Sequence, residues 1–214
     1  MQQILVYGDS LSWGIIPGTR ARHPFDVRWP GVLEAGLKAR GGAVRVIEDC
    51  LNGRRTVWED PFKAGRKGLE GLAQRMEVNS PLALLILMLG SNDFQSMHPH
   101  NAWHSSQGMA SLVQAVRQAP IEPGMPVPPI LIVAPPAIQT PRGTIAPKFA
   151  GGEHKCVGLA AALQEVAASL NCAYFDANSV IRTSPVDGVH LDAEQHVALG
   201  RALVAPVAKL LETA

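Results

Sequence analysis

No stretch of the chain is apolar for long enough to cross a bilayer; the longest run, Leu82 to Leu89, stops at Gly90. An excess of one charge is missing as well. Nineteen basic against 18 acidic side chains leave a formal charge of +1, so nothing marks a nucleic-acid backbone or an anionic membrane surface as a partner. Cysteine is scarce: Cys50, Cys156 and Cys172 are scattered without a CxxC pair, which argues against a disulfide framework or a zinc knuckle and suits reduced thiols. The N-terminus lacks a basic segment with a signal-like cleavage site, and a cytoplasmic protein is expected. Internal repeats, low-complexity tracts and linkers are also absent.

What remains is an ordinary globular composition, 47% apolar and 17% charged. A length of 214 residues supports one sizeable core and does not require two, so a single domain over residues 1–214 is expected.

The first apolar run, Ile4 to Tyr7, stops at Gly8 and is followed at once by Asp9 and Ser10. It reads as a buried strand delivering a hydroxyl, although Asp9 or Ser10 can equally cap a following helix. Residues 15–30 hold Pro17, Pro24 and Pro30 and suit a fixed loop, after which Val32, Leu33 and Leu37 predict a helix over 30–40. Val44 to Glu48 reads as a second strand, ending in the polar turn Asn52-Gly53-Arg54. Leu69, Leu72 and Met76 give a weaker helical pattern. Leu82 to Leu89 shows no alternation, as expected of a central strand covered on both faces, and stops at Gly90-Ser91-Asn92-Asp93.

Met109, Leu112, Val113 and Val116 predict a helix over 105–118, Ile130 to Val133 a fourth strand, and residues 153–170 a helix with an apolar face through Val157, Leu163, Val166 and Leu170. Ala173-Tyr174-Phe175 is a short fifth strand. Asp192 is a plausible N-cap for the last helix, with Gln195 completing a form of capping box.

Five alternations of strand and helix predict an α/β fold, a three-layer α/β/α sandwich of flavodoxin-like shape with a five-stranded parallel sheet in the order 2-1-3-4-5. Ligands of such folds sit outside the carboxyl ends of the strands. Ser10, Gly53, Asn92, Asp187 and His190 all follow strand ends on that rim. A nucleophilic hydroxyl needs a base, an acid to orient it, and donors aimed at the developing oxyanion. Ser10, His190 and Asp187 can fill the first three roles, since a single turn can set a carboxylate against the imidazole three residues on. The Ser10 and Gly53 N–H groups and the Asn92 side chain are the candidate oxyanion donors. Each also has a plainer reading: a helix-entry turn for Asp187 and His190, an Asx-turn for Asn92, an ordinary turn for Gly53.

Taken in order, Gly8-Asp9-Ser10-Leu11-Ser12, Gly53, Gly90-Ser91-Asn92-Asp93 and Asp187-Gly188-Val189-His190 resemble the four sequence blocks of the SGNH (GDSL) hydrolases, across nearly the whole chain. Trp13-Gly14, Asp26-Val27-Arg28-Trp29, Met88-Leu89, Gly151-Gly152-Glu153, Phe175-Asp176-Ala177 and Val186 narrow the resemblance to the bacterial arylesterase and acyltransferase branch. That resemblance implies a serine esterase acting on short-chain acyl esters of aryl or small alkyl alcohols, with transfer to alcohols or peroxide in some members. It also implies homo-oligomers, octamers among them, and no metal or cofactor. Asn52-Gly53-Arg54 departs from it, because the branch often has alanine where Gly53 stands.

Asp9, Trp13 and Phe94 are the candidates for substrate contact, although Asp9 can instead bond backbone around the serine turn. Phe25, Trp29, Trp58 and Trp103 can wall a pocket or bury an oligomer contact. His98, His100 and His104 share a loop, but Pro99 and the irregular spacing favour loop or interface histidines over a metal site. Two classes compete: a serine esterase, with lipase, lysophospholipase and carbohydrate deacetylase as nearer rivals, and a non-catalytic α/β ligand-binding module. The chain has neither a phosphate-cradling G-x-x-x-x-G-K-[ST] loop nor the G-x-S-x-G elbow of the α/β-hydrolases.

Overall fold

The structure is a computed structural model and describes residues 1–212. Five strands, β1 (Gln2–Gly8), β2 (Val44–Cys50), β3 (Leu84–Met88), β4 (Ile130–Ala134) and β5 (Ala173–Asp176), form one sheet in the order β2-β1-β3-β4-β5. Every neighbouring pair is parallel, so class and strand order match the expectation.

The sheet is sandwiched because its strands are apolar on both faces. Side chains alternate sides along a strand, and Leu5, Tyr7, Leu85, Leu87, Ile130 and Ile132 pack into one core. That core is closed by Met109, Leu112 and Val116 of α4 (Ala102–Arg117) and Leu163 and Val166 of α7 (Leu159–Ser169). Ile4, Val6, Leu84, Ile86, Leu131 and Val133 face the other way, onto Leu33 and Leu37 of α2 (Trp29–Ala39) and Leu199, Leu203 and Val207 of α8 (Ala193–Glu212). Burying each such side chain contributes about 1.5–3 kcal/mol, which is why the unbroken apolar runs lie in the middle of the sheet. The smaller helices are α1 (Ser10–Trp13), α3 (Leu72–Asn79), α5 (Ala146–Phe149) and α6 (Gly152–Lys155).

Three local expectations are corrected. The helix foreseen over 153–170 is two, α6 and α7, because Gly158 takes φ +86° between them; Val157 falls in the break and is 72% exposed. Helix α4 begins at Ala102, ahead of residue 105, because Asn101 and His104 form a reciprocal capping box. The capping box foreseen for α8 is replaced by outward bonds: Ser184 Oγ donates to Asp192 Oδ1 at 2.8 Å, and the Arg182 N–H donates to Gln195 Oε1 at 2.9 Å.

Register brings the loops together. Gly8 at the end of β1 pairs with Cys50 of β2 and Met88 of β3, so the segments leaving these three strands emerge side by side.

Candidate active site

Ser10 is the first residue of α1, immediately beyond β1. Asp9 caps this short helix, its Oδ1 accepting from the Leu11 N–H at 2.9 Å. The capping and nucleophile readings are therefore compatible, with Asp9 as the cap and Ser10 facing the cleft.

His190 Nε2 lies 3.1 Å from Ser10 Oγ, and His190 Nδ1 lies 2.7 Å from Asp187 Oδ2. The turn that sets this pair is held by the carboxylate itself, whose Oδ1 accepts the N–H groups of Val189 and His190, both at 2.9 Å. Burial works to raise the Asp187 pKa, but the side-chain and backbone hydrogen bonds of His190, its charge and the Val189 N–H together outweigh it and bring the group down to about 2. Asp187 is thus ionised and can only accept. The proton on the imidazole must sit on Nδ1, which leaves the lone pair of Nε2 facing the Ser10 hydroxyl.

Gly188 makes the turn possible. It takes φ +76°, and a Cβ there would lie 2.5 Å from the Thr140 carbonyl oxygen. The same close approach lets the Arg142 N–H donate to the Asp187 carbonyl at 3.0 Å, laying the loop after β4 against the triad turn.

Three donors face the same space. At the start of α1 the Ser10 N–H has no intrahelical acceptor. The Gly53 N–H has no backbone acceptor among the described residues, in a turn where Gly53 takes φ +84°. The Asn92 amide is fixed from both sides: its Oδ1 accepts from Gln95 Nε2 at 2.7 Å, and its Nδ2 donates to Asp9 Oδ2 at 2.9 Å. One Asn92 N–H remains for a ligand. Behind this pair, fully buried Arg55 donates to the Asn92 carbonyl at 3.2 Å and to Gln95 Oε1 at 2.5 Å, and pairs with Asp60 at 3.3 Å. Burial raises the Asp9 carboxyl to about 6, against the Leu11 N–H, the His190 charge, Asn92 and Arg54.

Asp93 fastens the second and third blocks together. Its carboxylate accepts from the Thr56 N–H at 3.0 Å, Thr56 Oγ1 at 2.8 Å and Ser105 Oγ at 2.7 Å, and burial raises it to about 6.

The cleft over Ser10 has a volume of about 190 Å³ and also holds Gly53, Asn92, Asp187 and His190. The five residues that the topology was expected to gather are therefore together. The three expected substrate contacts are not among the lining residues. Asp9 lies beneath the cleft as cap and partner of Asn92. Trp13 turns away, with the Arg22 guanidinium 4.6 Å over its ring. Phe94 is fully buried in the core against α4 and α7. The remaining loop aromatics, Phe25, Trp29, Trp58 and Trp103, do not line it either.

The apolar wall is instead Ile15, Ile145, Phe149 and Val186, with Arg20, Lys63, Arg142 and Lys148 around them. Sequence reasoning passed over Arg142 to Phe149 because that loop has no periodicity; its only signal is that it leaves the carboxyl end of β4. His98 and His100 stack with ring centres 4.7 Å apart, and no group of three His, Cys, Asp or Glu suited to a metal occurs among the described residues.

A doubly wound parallel sheet with a serine, histidine and aspartate relay at its carboxyl rim defines a serine-hydrolase type of site. Residues 6–198 match the GDSL-like lipase/acylhydrolase family, and the chain belongs to it. It is a carboxylic ester hydrolase of the SGNH group. Among solved structures, a carbohydrate acetylesterase family member from Sinorhizobium meliloti is 39% identical, with 99% of this chain and 100% of that one covered and a TM-score of 0.92. The native aryl esterase of M. smegmatis is 35% identical, with 98% and 100% covered and a TM-score of 0.91. A lipase/acylhydrolase from Enterococcus faecalis, 17% identical with 98% and 96% covered and a TM-score of 0.70, shares the fold. Comparison with curated proteins gives no match. No helix among the described residues is long and apolar enough to cross a membrane.

Proposed function

We propose that the protein hydrolyses short-chain acyl esters of aryl or small alkyl alcohols through an acyl-enzyme on Ser10. Ser10 Oγ attacks the ester carbonyl while His190 Nε2 takes its proton. Asp187 holds the imidazole in the tautomer this step needs and stabilises the imidazolium that results. The tetrahedral oxyanion accepts from the Ser10 and Gly53 N–H groups and the free N–H of Asn92. As the carbonyl reforms, the alcohol leaves with the proton from His190. Water then adds to the acyl-enzyme with His190 again as base, and the acid is released. An alcohol or peroxide in place of water gives acyl transfer by the same step.

The observation that carries this reading is the relay from Asp187 through His190 to Ser10, at 2.7 and 3.1 Å, opening on a cleft lined by Gly53 and Asn92. The cleft volume of about 190 Å³ supports a small acyl group. Hydrolysis of p-nitrophenyl acetate tests it: Ser10→Ala is expected to abolish turnover while the fold persists, and an organophosphonate is expected to label Ser10. Full activity in that variant overturns the reading.

The likeness to the Sinorhizobium meliloti carbohydrate acetylesterase favours one further substrate class, O-acetylated sugars. A panel of acyl lengths and alcohols, acetylated sugars included, decides between them. A homo-oligomer belongs to the same proposal, supported by the exposure of Phe62 (83%) and Trp103 (63%), and size-exclusion chromatography reads it.

A further inference from the structure

The catalytic steps proposed above use neutral donors and one histidine, yet four cations line the cleft. Arg20 comes from the loop between α1 and α2, Lys63 from the loop after β2, Arg142 from the loop after β4, and Lys148 from α5. All four are exposed. Asp187 is the one acid among the lining residues, and His190 already engages it.

Other cations near the site are engaged, by carboxylates or, for Arg66 and Lys155, by the backbone carbonyls of Asn52, Ala64, Gln95 and His98. Arg22 and Arg28 pair with Glu48, Arg54 and Arg75 with Asp49, Arg55 with Asp60, and Lys67 with Glu59 and Glu70. Arg20, Lys63, Arg142 and Lys148 form no side-chain ion pair among the described residues, in a protein whose charges are balanced at 19 to 18.

Lys148 senses two of the other three. Burial lowers the Lys148 pKa, Asp60 opposes that, and the charges of Arg55, Lys63 and Arg20 lower it further. Asp60 is itself buried and held by Arg55 at 3.3 Å. Gathering like charges around a cleft without a counter-ion costs stability, and a bound anion relieves it. Arginine forks suit a carboxylate in two-point contact, while lysines add charge without demanding a geometry.

We propose that the cleft selects anionic esters, substrates that carry a carboxylate or a comparable small anion on the acyl or the alcohol side of the scissile bond. Arg142 and Lys148 are the principal contacts, since the segment from the loop after β4 into α5 that carries them is anchored on the triad turn through the Arg142 N–H, and Arg20 and Lys63 complete the ring. This rests on the esterase reading, and the test separates the two.

Two matched pairs are compared: p-nitrophenyl hemiglutarate against its neutral methyl ester, and 4-acetoxybenzoate against methyl 4-acetoxybenzoate. The first pair sets the anion on the acyl side and the second on the alcohol side. Rates are corrected with Ser10→Ala. The expected result is a kcat/KM about tenfold or more higher for the anionic member of at least one pair, carried mainly by KM and shrinking as salt rises. Arg142→Gln and Lys148→Gln are each expected to reduce that anionic-to-neutral ratio about three- to tenfold, with circular dichroism reporting the fold. Equal turnover within both pairs overturns the charge selection and leaves the esterase reading standing, as does a preference that persists in the Arg142→Gln/Lys148→Gln double variant. Failure of the wild type to hydrolyse any of the four esters removes the esterase reading and the proposal with it.

Discussion

Replacing Asp187 by Asn keeps its size and shape but removes its charge, and its two consequences separate. The first concerns the proton on His190. The Asp187 carboxylate accepts from His190 Nδ1 at 2.7 Å and from the Val189 and His190 N–H groups at 2.9 Å. In Asp187→Asn the amide oxygen can still accept from the two backbone groups. Its NH2 then faces Nδ1, which must become the acceptor, and Nε2 carries the proton toward Ser10. A base in that tautomer cannot take the serine proton, and kcat is expected to fall about 10⁴-fold, the size of the loss that the same change causes in a serine protease triad.

The second consequence concerns stability. A carboxyl at about 2 in the folded state, against an ordinary value of about 4 in the unfolded one, corresponds to a contribution on the order of 1–2 kcal/mol once access of water to the cleft is allowed for. Because the folded value is the lower one, this contribution is fully present above pH ~4 and is lost as the pH falls through about 2. Urea unfolding of wild type and Asp187→Asn is therefore expected to show a gap of that size at neutral pH that narrows between pH 4 and pH 2. The assay for the first effect is steady-state hydrolysis of p-nitrophenyl acetate from pH 5 to 9. Retention of kcat within tenfold of wild type, or a loss confined to KM, refutes the tautomer argument. A gap in stability that does not change with pH refutes the second.

Asn92→Ala removes one oxyanion donor and is expected to cut kcat about 10²–10³-fold with little change in KM, measured on the same ester. Gly53→Ala forces a Cβ onto a residue at φ +84°; an unfolding free energy lower by about 1–2 kcal/mol is expected, together with a slower turnover from a displaced N–H. Arg55→Met leaves Asp60 buried without its cation and frees Gln95 Oε1, so a stability loss of about 3–5 kcal/mol by denaturant titration is expected, with a lower kcat because Asn92 loses the bond to its carbonyl and Gln95, which orients its amide, loses its own anchor. The Arg55 effect on kcat is expected to exceed that of Asp60→Asn, which leaves the Gln95 contact in place.

How far the site was legible before folding depended on whether its signal was local. Ser10 and Asn92 stand where apolar runs stop, the Asp187 to His190 turn lies in the segment between β5 and α8, and a parallel sheet puts all such ends on one rim. Their chemistry follows from residue type and spacing. Asp9, Trp13 and Phe94 sit as close to those blocks in sequence, yet none lines the cleft, because neighbours in sequence do not set where a side chain points. Arg22 draws Trp13 aside, the core takes Phe94, and Asn92 with the Leu11 N–H occupies Asp9.

The sequence by itself determined the layered architecture, since a strand apolar on both faces must be covered twice, and the identity of the reacting groups, since hydroxyl, imidazole and carboxylate each follow a strand end. Tertiary structure alone decided the walls of the cleft. Phe149 and Arg142 lie far from Ser10 along the chain and reach it because Gly188 admits the Thr140 carbonyl, Asp187 accepts the Arg142 N–H, and Ser96 donates to the Pro147 and Lys148 carbonyls. Periodic elements announce their faces in residue order, whereas an aperiodic loop takes its direction from whatever it packs against.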